Sequence, residues 1–204
     1  MNILPFKSKV LLTVLTTAML HTAVKAQTFS GGFTIGISGC QIDGDTQGGY
    51  HKPGIRTGFI VSAPATSPFA VESGILFSSK GAIKKTQGYT EFKTLLNYAE
   101  LPMIIKYHFK PKFGVELGIS YNRIISSKII EANGAEQKNP TFLKKYDIDG
   151  IAGFRLYLSL KFELTASFGY SITKITDDPD MPYWRNNFIN LSITRRFNGK
   201  NSQQ

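Results

Sequence analysis

The chain has 204 residues, enough for one domain or two small ones, with 19 glycines, 12% aromatic residues and only 19% charged residues. Its formal charge of +10 would suit a nucleic acid, but the basic residues are scattered singly or in pairs such as Lys84-Lys85 and Arg195-Arg196, with no basic helix or dense run, which argues against that class of partner. A single cysteine, Cys40, excludes an internal disulfide and a multi-cysteine metal centre.

Residues 1–26 read as a secretory leader. Lys7 and Lys9 precede the apolar run 10–20, and Val24 and Ala26 put small side chains at the minus-three and minus-one positions of a cleavage site. The run is well short of the ~20 residues that a spanning helix needs. Cleavage is expected after Ala26. That leaves a domain over residues 27–197 and a short polar tail, 198–204.

The rest of the chain alternates with a period of two, the signature of strands with two unlike faces. The first strand, residues 32–42, sets Phe33, Ile35 and Ile37 against Thr34, Gly36 and Ser38. The second, 54–62, sets Ile55, Thr57, Phe59 and Val61 against Arg56, Gly58 and Ile60. The third, 69–79, sets Val71, Ile75 and Phe77 against Glu72, Gly74 and Leu76, and residues 80–93 follow as a polar segment. The fourth, 94–109, sets Leu101, Met103, Ile105 and Tyr107 against Glu100, Pro102, Lys106 and His108; Pro102 cannot donate to a ladder and predicts a bulge or local break. The fifth, 113–130, sets Val115, Leu117, Ile119 and Tyr121 against Glu116, Gly118, Ser120 and Asn122, and its alternation fails near Arg123. Residues 131–145 are again polar. The sixth strand, 146–156, carries Asp147, Asp149 and Arg155 on one face; the seventh, 162–173, carries Glu163 there. After a last loop, 174–186, the closing strand 188–197 shows Ile189, Leu191, Ile193, Arg195 and Phe197 on one side and Asn190, Ser192, Thr194 and Arg196 on the other.

Two regularities join these segments. The connections run long, short, long, short, long, short, long. The charges also segregate: Arg56, Glu72, Glu100, Lys106, Glu116, Asp147, Asp149, Arg155, Glu163 and Arg196 all share the face that carries glycine and serine. A water-soluble barrel would put its apolar face inside; apolar-out and polar-in is what lipid requires. Lipid offers no hydrogen bonds, so the sheet must close. The expected fold is all-β: an eight-stranded antiparallel up-and-down transmembrane β-barrel with short periplasmic turns and long extracellular loops, resident in the cell outer membrane. Aromatics near strand ends fit two interfacial girdles: Tyr107, Phe109, Phe113, Phe162 and Phe197 at the short-turn end, and Phe77, Tyr98, Tyr121 and Tyr170 at the other. The second reading, a soluble periplasmic lipocalin-like barrel around a small apolar ligand, requires Phe162, Leu164 and Phe168 inside and Glu163 outside.

Several segments carry a family resemblance: Gln41-Ile-Asp-Gly-Asp45 with Lys52-Pro-Gly54, Leu76-Phe-Ser-Ser-Lys-Gly81, Asn97-Tyr-Ala-Glu-Leu-Pro102, Lys106-Tyr-His-Phe109 and the terminal strand ending in Phe197. In these the chain resembles the PorT-like outer-membrane β-barrels common among Gram-negative Bacteroidetes. The resemblance implies a small eight-stranded barrel and, at Phe197, the terminal aromatic that barrel-assembly machinery reads; Arg195 stands where the family usually has an outward aromatic.

An eight-stranded barrel has an interior just wide enough for side chains to fill. Arg56, Lys106, Arg155 and Arg196 against Glu72, Glu100, Glu116 and Glu163 are therefore expected to form a paired structural network rather than a conduit. No catalytic residue, cofactor or metal is assigned. A lipid-modifying enzyme would need a nucleophile beside His51 or His108, and no spacing fixes a triad. Asp43-Gly-Asp45 and Asp177-Asp-Pro-Asp180 lack the distal Glu of a calcium loop and read as turns. Trp184, beside Tyr183 in the last loop, is expected in the headgroup layer. The expected partners are outer-membrane lipid, lipopolysaccharide or a surface or envelope protein, with Lys80, Lys84, Lys85 and Lys93 making the second long loop basic. At the membrane edge an outward Arg costs only ~0–1 kcal/mol against ~2–4 at the midplane, which predicts Arg195 at the edge and Leu191 deeper.

Overall fold

The computed structural model describes residues 29–45, 48–86, 89–177 and 183–197. The expected leader, the tail 198–204, Asp178 and Asp180 lie outside them. The strands are β1 (Ser30–Asp43), β2 (Lys52–Pro64), β3 (Phe69–Thr86), β4 (Tyr89–Lys110), β5 (Phe113–Ile130), the short β6 (Glu136–Lys138), β7 (Tyr146–Tyr157), β8 (Phe162–Ser171) and β9 (Arg185–Arg196). Each long strand pairs antiparallel with its neighbours in sequence, and β9 pairs back onto β1, so eight strands close a barrel while β6 adds only to the outer end of β5.

Closure is sheared. The row of paired residues that starts at Gly31 passes through Val61, Ser73, Met103, Ile119, Gly150, Tyr170 and Asn187 and returns to β1 at Gln41, ten positions along (31 to 41). A staggered barrel tilts its strands ~35–45° from its axis. At ~3.3 Å per residue, each step along a strand then gains ~2.5 Å of height.

The charged and small residues point inward and the large apolar ones outward, which rules out the lipocalin-like arrangement: Glu163 is 3% exposed, while Phe162 and Phe168 are 41% and 45% exposed. A lumen this narrow needs glycine opposite bulk. A Cβ on Gly169 would lie 2.1 Å from Cζ of Phe188, whose ring fills that space.

Two expectations about the strands are corrected, and a third, at Pro102, holds. Residues 80–93 are not a loop: β3 and β4 continue as a hairpin through Gly81↔Leu95 and Ile83↔Lys93 to Thr86↔Tyr89. Lysines interspersed with Ala82, Ile83, Phe92, Leu95 and Leu96 hid that alternation. Gly81 (φ +127°) marks the crossing into the extension, where a Cβ would meet the Thr94 carbonyl oxygen at 2.0 Å. The seventh sequence strand ends at Ser171, not at residue 173. At Pro102 the register to β3 holds, but pairing lapses between Ser73↔Met103 and Leu76↔Glu100, as expected of a residue without an N–H.

The failing alternation of β5 has a physical cause. A register shift opposite Asn97/Tyr98 inserts a bulge. Below it Ser120 and Asn122 face inward; above it Ser127 and Ile129 do, and Arg123 and Ile125 are exposed on the outer wall.

Candidate functional site

At the short-turn end the lumen holds three carboxylates and three cations, each from a different strand. Arg155 on β7 is the hub. Its Nη2 lies 2.6 Å from Glu72 Oε1, its Nη1 2.5 Å from Glu163 Oε1, and its Nε donates to Glu116 Oε2. Arg196 Nη2 lies 2.5 Å from Glu72 Oε2 and 2.7 Å from Glu163 Oε1, and Lys106 Nζ lies 3.1 Å from Glu72 Oε2. None of the six is more than 8% exposed. One level up, Arg56 donates through Nε (3.0 Å) and Nη2 (2.7 Å) to Glu100 Oε1. All eight residues of the expected charge network therefore face the lumen, six in one cluster and Arg56 with Glu100 as a separate pair.

The long-loop half of the lumen has a second cluster that charge counting alone missed. Lys80, expected in a surface loop, is 2% exposed and pairs with Asp149 inside the barrel. Its Nζ also lies 5.0 Å from the ring centre of Tyr98 and 4.7 Å from that of Phe188, a cation held between two π faces. Asp147 accepts from Ser171 Oγ (2.7 Å), Thr173 Oγ1 (3.0 Å) and Asn186 Nδ2 (2.9 Å); Asn122 Nδ2 donates to Asp149 at 2.9 Å. Lys52, also buried, donates to Ser79 Oγ (3.1 Å) and the Pro53 carbonyl (3.3 Å). Tyr98, expected in the outer girdle, is fully buried; its hydroxyl accepts from Asn186 Nδ2 at 2.9 Å. Between the two levels lies a void of about 20 Å³, lined by Arg56, Glu72, Glu116 and Arg155 among others. That is room for roughly one water. The lumen is packed, not open.

Above the barrel wall, the β3–β4–β5 extension carries its own apolar core. Ile42, Ala82, Leu96, Tyr98 and Ile129 from the strands meet Leu143, Ile175 and Trp184 from the long loops, with Phe92, Ile124 and Phe142 packed against them. Trp184 is 7% exposed and meets Phe142 edge-to-face at 6.0 Å, so it is a core residue and not a headgroup anchor. The loops are pinned by backbone bonds from Lys144 N to Ile175 O, from Ile175 N to Trp184 O and from Asp177 N to Phe142 O. Isolated apolar residues in otherwise polar loops were the available signal. The long-loop mouth is capped.

Where the first long loop begins, Asp43 is engaged by side-chain amides. Asp43 Oδ1 accepts from Gln41 Nε2 (2.8 Å), and its other oxygen accepts from Asn187 Nδ2 (3.3 Å). No cluster of three His, Cys, Asp or Glu among the described residues is placed for a metal. His51 lies in the long-loop segment before β2, whereas His108 lies near the short turn 111–112 and rests against Tyr157, ring centres 4.9 Å apart. The two histidines are at opposite ends of the barrel. Outside the wall, Lys128 donates to Glu136 at 2.9 Å and holds its carboxyl below the usual range.

The outer wall carries an apolar belt from Phe33, Ile35 and Ile37 round to Ile189, Leu191 and Ile193. Arg195 pairs with Phe33 and with Phe162, the first residue of β8, at the short-turn rim; Leu191 pairs with Ile37 and Ala166, higher on the wall. Phe197 is exposed at that rim, its N–H bonded to the Gly31 carbonyl at 2.8 Å.

A family model described as "Outer membrane protein beta-barrel domain" matches residues 25–177. No curated protein matches the chain in sequence. Among solved structures, the chain is similar to Ail, the attachment invasion locus protein of Yersinia pestis, in complex with the heparin analogue sucrose octasulfate (12% identity, TM-score 0.51, covering 83% of this chain and 99% of that one). It is also similar to Neisserial surface protein A (9% identity, TM-score 0.56, covering 82% and 97%). At such identities the likeness is one of fold.

Proposed function

The chain belongs to the outer membrane protein β-barrel domain family and resides in the outer membrane, and from that premise we propose that it is a sealed barrel whose work is surface interaction, done by the capped β3–β4–β5 extension and its loops. The observation that carries this is the extra-membrane core. A barrel that only had to span the bilayer would have no use for a second hydrophobic core beyond the belt, formed where two loops fold onto the elongated strands. Such a core makes a rigid platform, and rigid platforms bind with less ordering cost than mobile loops.

The partners this reading implies are ligands at the cell surface: lipopolysaccharide headgroups or an envelope protein. Lys80 leaves the basic set that suggested them, and Lys84 and Lys93 remain on the extension. The segments at 41–54, 76–81, 97–109 and the terminal strand support a place among PorT-like barrels. The leader expected over residues 1–26 supplies export, and Phe197 at the periplasmic rim is available as an assembly signal. We read no enzyme here, because His51 and His108 stand at opposite ends of the barrel.

The test is to replace residues 131–145 and 172–184 with short Gly-Ser turns and measure binding of whole cells to host-surface glycans, envelope extracts and purified lipopolysaccharide. Surface binding should fall while heat-modifiable migration in SDS gels, the mark of a folded barrel, persists. Unchanged binding with a folded barrel would reject the reading.

A further inference from the structure

The lipid-facing belt is interrupted at one place. A groove of about 760 Å³ crosses the outer wall from β4 to β9, with Phe77, Ile55, Ile37 and Leu191 along it. Its volume is that of a ligand site, within the usual ~300–1,000 Å³. The cause is a local run of small or flat residues: Gly39, Pro53 and Ser79 stand where neighbouring levels carry Ile37, Ile55 and Phe77. Tyr50 arches over the gap, its Cβ 3.2 Å from where a Gly39 Cβ would lie, and its hydroxyl donates to Asn187 Oδ1 at 2.8 Å.

The register gives the groove a direction. Leu191 pairs with Ile37 and Ile37 with Ile55; Arg56↔Ser78 sets Ser79 beside Ile55, and Ser79 pairs with Asn97. This row runs roughly 19 Å along the wall, four strand spacings of ~4.8 Å, and on the tilted barrel rises about 12 Å from mid-belt at Leu191 to the extracellular edge at Asn97. The whole groove therefore lies in the outer leaflet. At its upper end the wall becomes cationic. Arg123 pairs with Ala99, the next outward residue below Asn97 on β4, and with Tyr146, whose neighbour Lys145 accepts the Ile124 N–H at 2.9 Å through its carbonyl. Arg123 and Lys145 are both exposed, with no carboxylate within ion-pair distance among the described residues. Beneath them Tyr121 and Tyr146 stack at 6.3 Å, as residues at a membrane interface do.

We propose that this groove and the adjoining Arg123–Lys145 pair form a site for one molecule of lipopolysaccharide, a phosphorylated, acylated glycolipid. A lipid phosphate rests on Arg123 and Lys145, and one acyl chain descends along Phe77, Ile55 and Ile37 toward Leu191. The groove is continuous with the lipid-facing belt, its lower course is apolar, and its only strongly charged end is positive and at headgroup height. Phosphate and chain are thus met in the order in which one lipid molecule presents them. The site is on the barrel wall and does not depend on the extension being an interaction platform.

The test uses the mature full chain, purified from outer membranes in mild detergent and examined by native mass spectrometry while lipopolysaccharide or phosphatidylethanolamine is titrated. One lipopolysaccharide should be retained per barrel. Ser79→Phe, which fills the groove, and Arg123→Glu with Lys145→Glu, which reverses its charged end, should each lower that retention tenfold or more. Heat-modifiable migration verifies that each variant is folded; if Ser79→Phe does not fold, Tyr50→Ala and the charge reversal decide the matter. Equal retention by the folded variants means ordinary annular lipid and overturns the proposal. So does equal retention of phosphatidylethanolamine, or a dimer that disappears when the groove is filled, since the occupant would then be another lipid or a second copy of the chain.

Discussion

Single residues show how a narrow lumen tolerates charge. Glu72 accepts from Lys106, Arg155 and Arg196 together, so Glu72→Ala leaves three buried cations facing only Glu116 and Glu163. Breaking a buried pair by removing one partner costs about 3–5 kcal/mol. The expected result is a fall of that size in unfolding free energy, read by urea titration in lipid vesicles. Gly169 is a second sensitive point. Gly169→Ala would drive a methyl into the Phe188 ring, an overpacking that costs roughly 1–3 kcal/mol; Phe188→Leu in the same chain should recover most of it, and the double-mutant cycle measures the coupling. On the outer wall, depth decides. Arg195→Leu at the periplasmic rim should change stability by less than about 1 kcal/mol, whereas Leu191→Arg, higher in the belt, should cost about 2–4. Equal effects would place both at the same depth.

The elements show what was legible and what was not. The seven alternating segments from residues 54 to 197 were readable because lumen-facing charge and lipid-facing bulk repeat every second residue. Arg56, Glu72, Glu100 and Glu163 could thus be assigned a face without coordinates. The β3–β4 extension was not readable. Outside the bilayer the outward face meets water, so Lys93 can stand where the belt would have leucine, and the contrast between faces that identifies a spanning strand is lost. Lys80 misled for the opposite reason: its neighbours look like a polar loop, and only the register shows it beneath the mouth between Tyr98 and Phe188. The cap was hidden because Leu143, Ile175 and Trp184 are far apart in sequence and have no periodicity to betray them. Its independence from the barrel is testable. Leu96→Ala or Trp184→Ala removes a large side chain from a core where such changes cost about 2–5 kcal/mol locally. External protease should then cut within 131–145 or 172–184 much faster, while the barrel ladder and its heat-modifiable migration persist. If the barrel melted as well, cap and wall would be one cooperative unit.

At the scale of the whole molecule, the lumen is closed twice. The lower seal is the salt-bridge lattice around Arg155, and the upper is the apolar cap under Trp184. They are built from different residues at different heights, and seals in series limit ion flow independently: the tighter one decides. Wild-type barrels in planar bilayers should therefore give no stable conductance steps. Glu72→Ala with Arg155→Ala removes one anion and one cation, keeps Lys106 and Arg196 balanced by Glu116 and Glu163, and opens the lower lumen; the cap should still hold conductance at baseline. Replacing residues 172–184 by a short turn removes Ile175 and Trp184 and should likewise leave the lower lattice shut. Only the combination should conduct, so the double change should exceed the sum of the two single ones. Steady openings in the wild type would mean that the lumen rearranges in the bilayer; conductance from the cap deletion alone would mean that the Arg155 lattice yields to ions and that the cap is the sole barrier.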